Sequence, residues 1–143
     1  MYRMDYLLYA RTFWSERDGV KPFAHDWHTD CRWLWRKARR GDRLWIVIAA
    51  PKEAAGEWRL LERLEVARPD PAVRRNGRKY RIVGSPRKSR AFDYGERQRD
   101  LAPILKRLEF PTGRRIQETG SAIGRSIRGP RRLADADIER LEA

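Results

Sequence analysis

Leu44–Ala50 reads LWIVIAA, an unbroken apolar run of strand length, and the segments around it alternate or recur with periods that assign most of the remaining elements. Met4–Trp14 (MDYLLYARTFW) is rich in aromatics and predicts a first strand, followed by a loop, Ser15–Ala24, punctuated by Gly19 and Pro22. In Asp26–Arg40, Trp27, Cys31, Leu34, Trp35 and Ala38 recur at helical spacing. They predict a helix capped by His25 or Asp26, with basic residues in its last turn and Gly41 as its stop. After a turn over Pro51–Gly56, Glu57–Ala67 reads as a returning strand with Trp58, Leu60, Leu64 and Val66 on one face, interrupted by Glu62 and ended by Pro69 and Pro71. Arg78–Val83 predicts a fourth strand, and the Ser85–Arg90 loop passes into a fifth around Ala91–Tyr94. Leu101, Ile104, Leu105 and Leu108 form a helical stripe. Pro103 is tolerated only in a first turn, so that helix starts near Asp100–Ala102. Gly113–Gly129 is expected as loop or irregular strand, and Asp135–Leu141 as a terminal helix. The element order is that of an α+β fold.

Length and composition narrow the class. The 143 residues suit one domain spanning 1–143, and 41% apolar with 10% aromatic residues supply a core. Cys31, the one cysteine, excludes an internal disulfide and favours a reducing, cytoplasmic setting. Met1–Tyr9 carries Arg3 and Asp5 within its apolar run, and Leu44–Ala50 is too short to cross a bilayer, so neither a signal peptide nor a membrane partner is expected.

Charge changes the picture more. There are 33 Lys+Arg against 20 Asp+Glu, a net +13. Between Arg74 and Arg90 lie Arg74, Arg75, Arg78, Lys79, Arg81, Arg87, Lys88 and Arg90 with no acid, and Arg114–Arg132 adds Arg125, Arg128, Arg131 and Arg132 to Arg114 and Arg115 against Glu118 alone. Two acid-poor tracts of this kind predict a polyanionic partner, DNA or RNA. Six tryptophans, five of them between Trp14 and Trp45, add indole faces on which bases stack.

Chemistry is sparse by comparison. No catalytic triad and no Walker-type glycine loop is present, and Gly120, Gly124 and Gly129 follow no strand-turn-helix pattern, so no cofactor is expected. His25, His28 and Cys31 are spaced i, i+3, i+6, but six residues turn a helix about 120° away from the starting direction, so no metal is assigned. Two competing readings are a small ribonuclease or toxin using His28 with Asp26 or Asp30, and an interaction module for an acidic protein. On the expected helix Trp27 shares the stripe of Cys31, Leu34 and Ala38 and reads as packing. Trp33 falls opposite Trp35, near Lys37 and Asp30, and needs either a second packing surface or a ligand. Trp45 and Trp58 read as core, and Trp14 stands where the first strand gives way to loop.

Tyr6–Leu8, Phe13-Trp14, Trp33, the turn Arg40-Gly41-Asp42-Arg43-Leu44-Trp45, the return strand Gly56–Val66 and the tail from Leu105–Phe110 through Arg131-Arg132-Leu133 to Asp137 and Leu141 together resemble the PUA-like barrels. More narrowly, they resemble the EVE domain and the EVE-like domains found beside the restriction nucleases of bacterial defence. Ala134 stands where the related tails place a Thr or Ser helix cap. The resemblance implies a small, mostly antiparallel β-barrel with flanking short helices and an aromatic pocket that receives a modified or flipped base. Trp14, Trp27, Trp33 and Trp45 would wall it, Phe13 would stand behind them, and Ser15, Asp26 and Asp30 would be the polar neighbours. Arg74, Arg75, Arg78, Lys79, Arg87, Lys88, Arg90, Arg128, Arg131 and Arg132 would grip the backbone.

Overall fold

The computed structural model describes residues 3–10, 26–49, 57–70, 80–92, 100–116, 123, 127 and 129–142. Seven strands and three short helices alternate along it: β1 (Asp5–Tyr9), β2 (Asp26–Thr29), α1 (Arg32–Lys37), β3 (Arg43–Ala49), β4 (Trp58–Asp70), β5 (Tyr80–Gly84), β6 (Arg90–Ala91), α2 (Ala102–Arg107), β7 (Arg131–Arg132) and α3 (Asp135–Glu142). The strands form one mixed sheet in the order β2-β5-β4-β3-β1-β7, with β6 also on β4. β1 runs parallel to β3 and the other pairings are antiparallel. The fold is therefore α+β with a mostly antiparallel sheet. Among the described residues that sheet is open, with β2 and β7 at its two ends, where the sequence led us to expect a closed barrel.

Both faces of the sheet are covered, and the period-2 alternation of the central strands divides their side chains between two cores. Leu7, Trp45, Val47, Trp58 and Leu60 face one side, beneath Leu105 of α2, Leu141 of α3 and the neighbouring Leu108 and Leu133. Tyr6, Leu8, Leu44, Ile46 and Ile48 face the other, beneath Leu34 of α1 and Ala38. The first of these cores carries a buried ion cluster. Asp5 Oδ2 accepts from Trp45 Nε1 at 2.8 Å and from Arg43 Nε at 2.9 Å. Arg43 also reaches Glu142 at 3.4 Å, tying α3 to the start of β3.

Two expected elements are corrected. Asp26–Arg40 is not one helix, because its first four residues are taken by β5 as a strand, with Asp26 opposite Val83 and Thr29 opposite Tyr80. Arg81 binds the Asp26 carboxylate at 2.8 Å, and Thr29 Oγ1 accepts the Cys31 N–H at 2.9 Å, turning the chain into α1. Pairing with a partner 55 residues away outweighs a helical period that begins one turn too early. The N-cap of α1 is Cys31 rather than Asp26, and His25 lies outside the described residues. The helix ends at Ala38, and Gly41, at φ 94°, makes the left-handed turn into β3 while Asp42 accepts the Arg39 and Met4 N–H groups, both at 3.0 Å.

The second correction concerns the return strand. The β3–β4 register shifts between Ile46 and Val47, so Leu60 pairs with Val47 and Glu62 with Ile46 while Leu61 is the extra residue of a bulge. Trp58 and Leu60 therefore face the first core, and Leu61, Leu64 and Val66 the second, instead of sharing one face. β4 also runs on through the exposed Pro69 to Asp70, held by β5. The first strand, expected over Met4–Trp14, is β1 over Asp5–Tyr9, its positions 11–14 lying outside the described residues. α2 begins as expected, at Ala102 with Pro103 in its first turn, and Asp100 Oδ1 accepts the N–H groups of Trp58 at 2.7 Å and Ala102 at 3.0 Å.

At the start of α3 no Thr or Ser is needed, because Asp137 reaches back and accepts the Ala134 N–H at 2.9 Å. The same carboxylate, fully buried, accepts from Glu109 at 2.6 Å and Phe110 at 2.8 Å. Phe110 lies at φ 51°, a left-handed conformation unusual for an aromatic residue.

Candidate nucleic-acid interface

Indoles on α1 are sorted by the six-residue length of the helix. Leu34 points into the second core. Trp35 packs against that core from its edge, stacked on Tyr80 with centroids 4.8 Å apart and planes 22° apart. Trp33 is left outward at 44% exposure, the exposed large apolar side chain among the described residues. Its ring meets Tyr6 of β1 edge-on, with centroids 6.0 Å apart at 60°. Tyr6 is also paired in register with Arg132 of β7, which places that arginine on the same side of the sheet. Burial raises the Tyr6 hydroxyl above its ordinary pKa, Asp42 adds to the rise and Arg132 opposes it, so the phenol remains a hydrogen-bond donor at neutral pH.

Around Trp33 the helix is cationic. Arg32, Arg36 and Lys37 of α1 and Arg39 and Arg40 just after it are all exposed, and none forms an ion pair among the described residues. Arg36 and Lys37 follow Trp33 by three and four positions, which places their side chains on the same helical face. This cluster is missing from the two tracts expected from the sequence, although its signal was there: the basic residues of RWLWRKARR read first as a helix end.

The expected backbone-gripping residues separate into three sets. Arg74, Arg75, Arg78, Lys79 and Arg128 lie outside the described residues. Lys88, Arg90 and Arg131 each have a structural contact: Lys88 with Glu65 at 3.7 Å, Arg90 over Phe92 at 4.9 Å, and Arg131 over the Phe110 ring at 3.6 Å. Burial lowers the pKa of Arg131 and Arg114 adds to that, with Asp137 opposing. Arg87, in the turn between β5 and β6, and Arg132 are exposed. Adjacent on a strand, Arg131 and Arg132 point to opposite faces of the sheet, so only Arg132 joins Trp33.

The base-pocket residues are divided as well. Phe13, Trp14 and Ser15 lie outside the described residues. Trp27 sits on β2 and packs against the second core with its Nε1 buried, as expected of a packing residue though on a strand. Trp45, 1% exposed and bonded to Asp5, is core rather than pocket wall. Asp30 is exposed in the bend between β2 and α1, close in sequence to Trp33. His28 lies opposite Arg81 on β5, and the Asp26 carboxylate that could have served it is bound by that same arginine. Among the described residues no group of three or more His, Cys, Asp or Glu could hold a metal ion, and no helix is long and apolar enough to cross a membrane.

Comparison of the chain with protein-family models and with curated proteins gives no match.

Proposed function

We propose that the protein is a nucleic-acid-binding domain whose backbone grip is centred on α1. The observation that carries this is the group Arg32, Arg36, Lys37, Arg39 and Arg40, five exposed cations without acid partners among the described residues, in a chain of net charge +13. Exposed ion pairs are worth little to a fold, and unpaired like charges gathered on six residues of helix and its exit repel one another. A phosphate backbone relieves that repulsion and releases counterions as it binds. Arg132 and Arg87 extend the grip beyond the helix. The finer reading we propose is of a base reader of the PUA-like, EVE-like kind, with Trp33 as one wall of the base site and Asp30 as a polar neighbour able to accept from an exocyclic amine. The α+β element order, the aromatic α1 and the Gly41-Asp42 turn into β3 support that kinship. We place the protein in the cytoplasm, where the half-buried thiol of Cys31 stays reduced.

Salt titration tests the grip. Binding to any oligonucleotide should weaken linearly on a log–log plot, with a slope near −0.7 to −0.9 per phosphate contacted. Changing Arg36, Lys37, Arg39 and Arg40 together to alanine should flatten that slope by about 2–3. Changing Arg87, Lys88 and Arg90 should flatten it by about 1, since Lys88 and Arg90 already have contacts of their own. An unchanged slope in the first variant would remove α1 from the interface.

A further inference from the structure

We infer that Trp33 is a stacking platform for an unpaired base, so that the polymer recognised is single-stranded nucleic acid. The inference rests on the nucleic-acid reading and deepens it. Cations alone would serve a duplex or a single strand equally well, because both present phosphates. The indole breaks that symmetry. It stands 44% exposed on a helix whose other two apolar side chains, Leu34 and Trp35, are packed, and it lies among charges, where so much exposed apolar surface adds little to the fold. Its one aromatic neighbour among the described residues, Tyr6, meets it edge-on at 60°, a contact that fixes the tilt of the ring and, among those residues, leaves at least one of its faces uncovered by another ring. Trp35 shows the contrast, since a ring lies flat against it at 22°. The faces of bases in a duplex are already covered by their neighbours, whereas an unpaired base has a free face and gains by stacking. Charge complementarity favours the same occupant. Arg36 and Lys37 are within one helical turn of Trp33 on its own face, and Arg132 is paired with Tyr6, the residue that meets its ring, so the phosphates flanking a stacked nucleotide have cations near them.

The test measures affinity by fluorescence anisotropy for a labelled 12-nucleotide single strand and for the matching duplex, at two salt concentrations. The intact protein, Trp33→Ala and Trp33→Phe are compared, and the thermal melt of each is recorded. The intact protein should prefer the single strand. Trp33→Ala should lose about five- to a hundredfold of single-strand affinity, the ~1–3 kcal/mol of one stacked base at 1.4 kcal/mol per tenfold, while duplex affinity and both salt slopes stay unchanged. Trp33→Phe should recover most of the loss. Equal loss for both polymers, no loss for either, or a melting temperature lowered in Trp33→Ala as far as in a Trp45→Ala core truncation would each overturn the platform. Salt-dependent binding without strand preference would also overturn it and leave the nucleic-acid reading standing. Binding to neither polymer at low salt would remove both.

Discussion

Asp137→Ala should destabilise the protein by about 3–5 kcal/mol, measured as the fall in unfolding free energy on urea titration. The carboxylate is fully buried and accepts three backbone N–H groups, from Glu109, Phe110 and Ala134. Each buried donor left without an acceptor costs about 1–3 kcal/mol, and the loss is reduced where water enters the vacated space. Two further effects add to the cost. The left-handed backbone of Phe110 is held in part by that bond, and α3 loses its only reach-back cap among the described residues. Asp137→Asn keeps one carbonyl oxygen, and since Oδ2 serves both Phe110 and Ala134, it should retain roughly half of the stabilisation. A loss below about 1 kcal/mol in the alanine variant would show that these three bonds add little to the seating of α3 on the Glu109–Phe110 segment.

Trp45→Ala should cost about 3–5 kcal/mol as a large-to-small change in a closed core. Its ring is 1% exposed, and its Nε1 donates to Asp5, whose other partners are Arg3 and the buried Arg43. Removing the indole opens a cavity and strips one donor from a fully buried carboxylate. Trp33→Ala should change stability by less than about 1 kcal/mol, because a half-exposed ring on a surface helix has little burial to lose. Urea midpoints of the two variants, with unchanged denaturant slopes, separate the roles. Midpoints that coincide would make both rings core.

Local patterns carried much of this fold, and non-local partners account for what they missed. The Leu44–Ala50 run and the Leu101, Ile104, Leu105 and Leu108 stripe with Pro103 in its first turn are readable residue by residue, and they fall on β3, Arg43–Ala49, and on α2, with Ala50 outside the described residues. The junction between β2 and α1 is not readable in that way. Trp27 satisfies a helical period with Cys31 and Leu34, and only the register with Tyr80–Gly84 makes it a strand residue. The change of face along β4 has the same origin, since a bulge at Leu61 exists only relative to β3. At the candidate site the outward position of Trp33 followed from its spacing. The cations around it were visible but had been assigned to a helix C-terminus, a role that basic residues fill equally well. Asp137 gave no sequence signal beyond its place in the tail, because a lone carboxylate has no period and its three donors come from two separate segments.

The seating of β7 on β1 also sets the order in which the molecule can be completed during synthesis. β1 takes its second neighbour, Arg131–Arg132, from far later in the chain, and Arg43 bonds to Glu142, 99 positions later. Until those residues have left the ribosome, β1 has an unpaired edge and the face bearing Leu7 and Trp45 lacks Leu133 and Leu141. A nascent chain of this fold therefore carries an open strand and an incompletely covered apolar face until β7 and α3 emerge. Its dependence on chaperones should be concentrated there, and chains ended before β7 should be degraded or aggregate rather than persist as a smaller folded form.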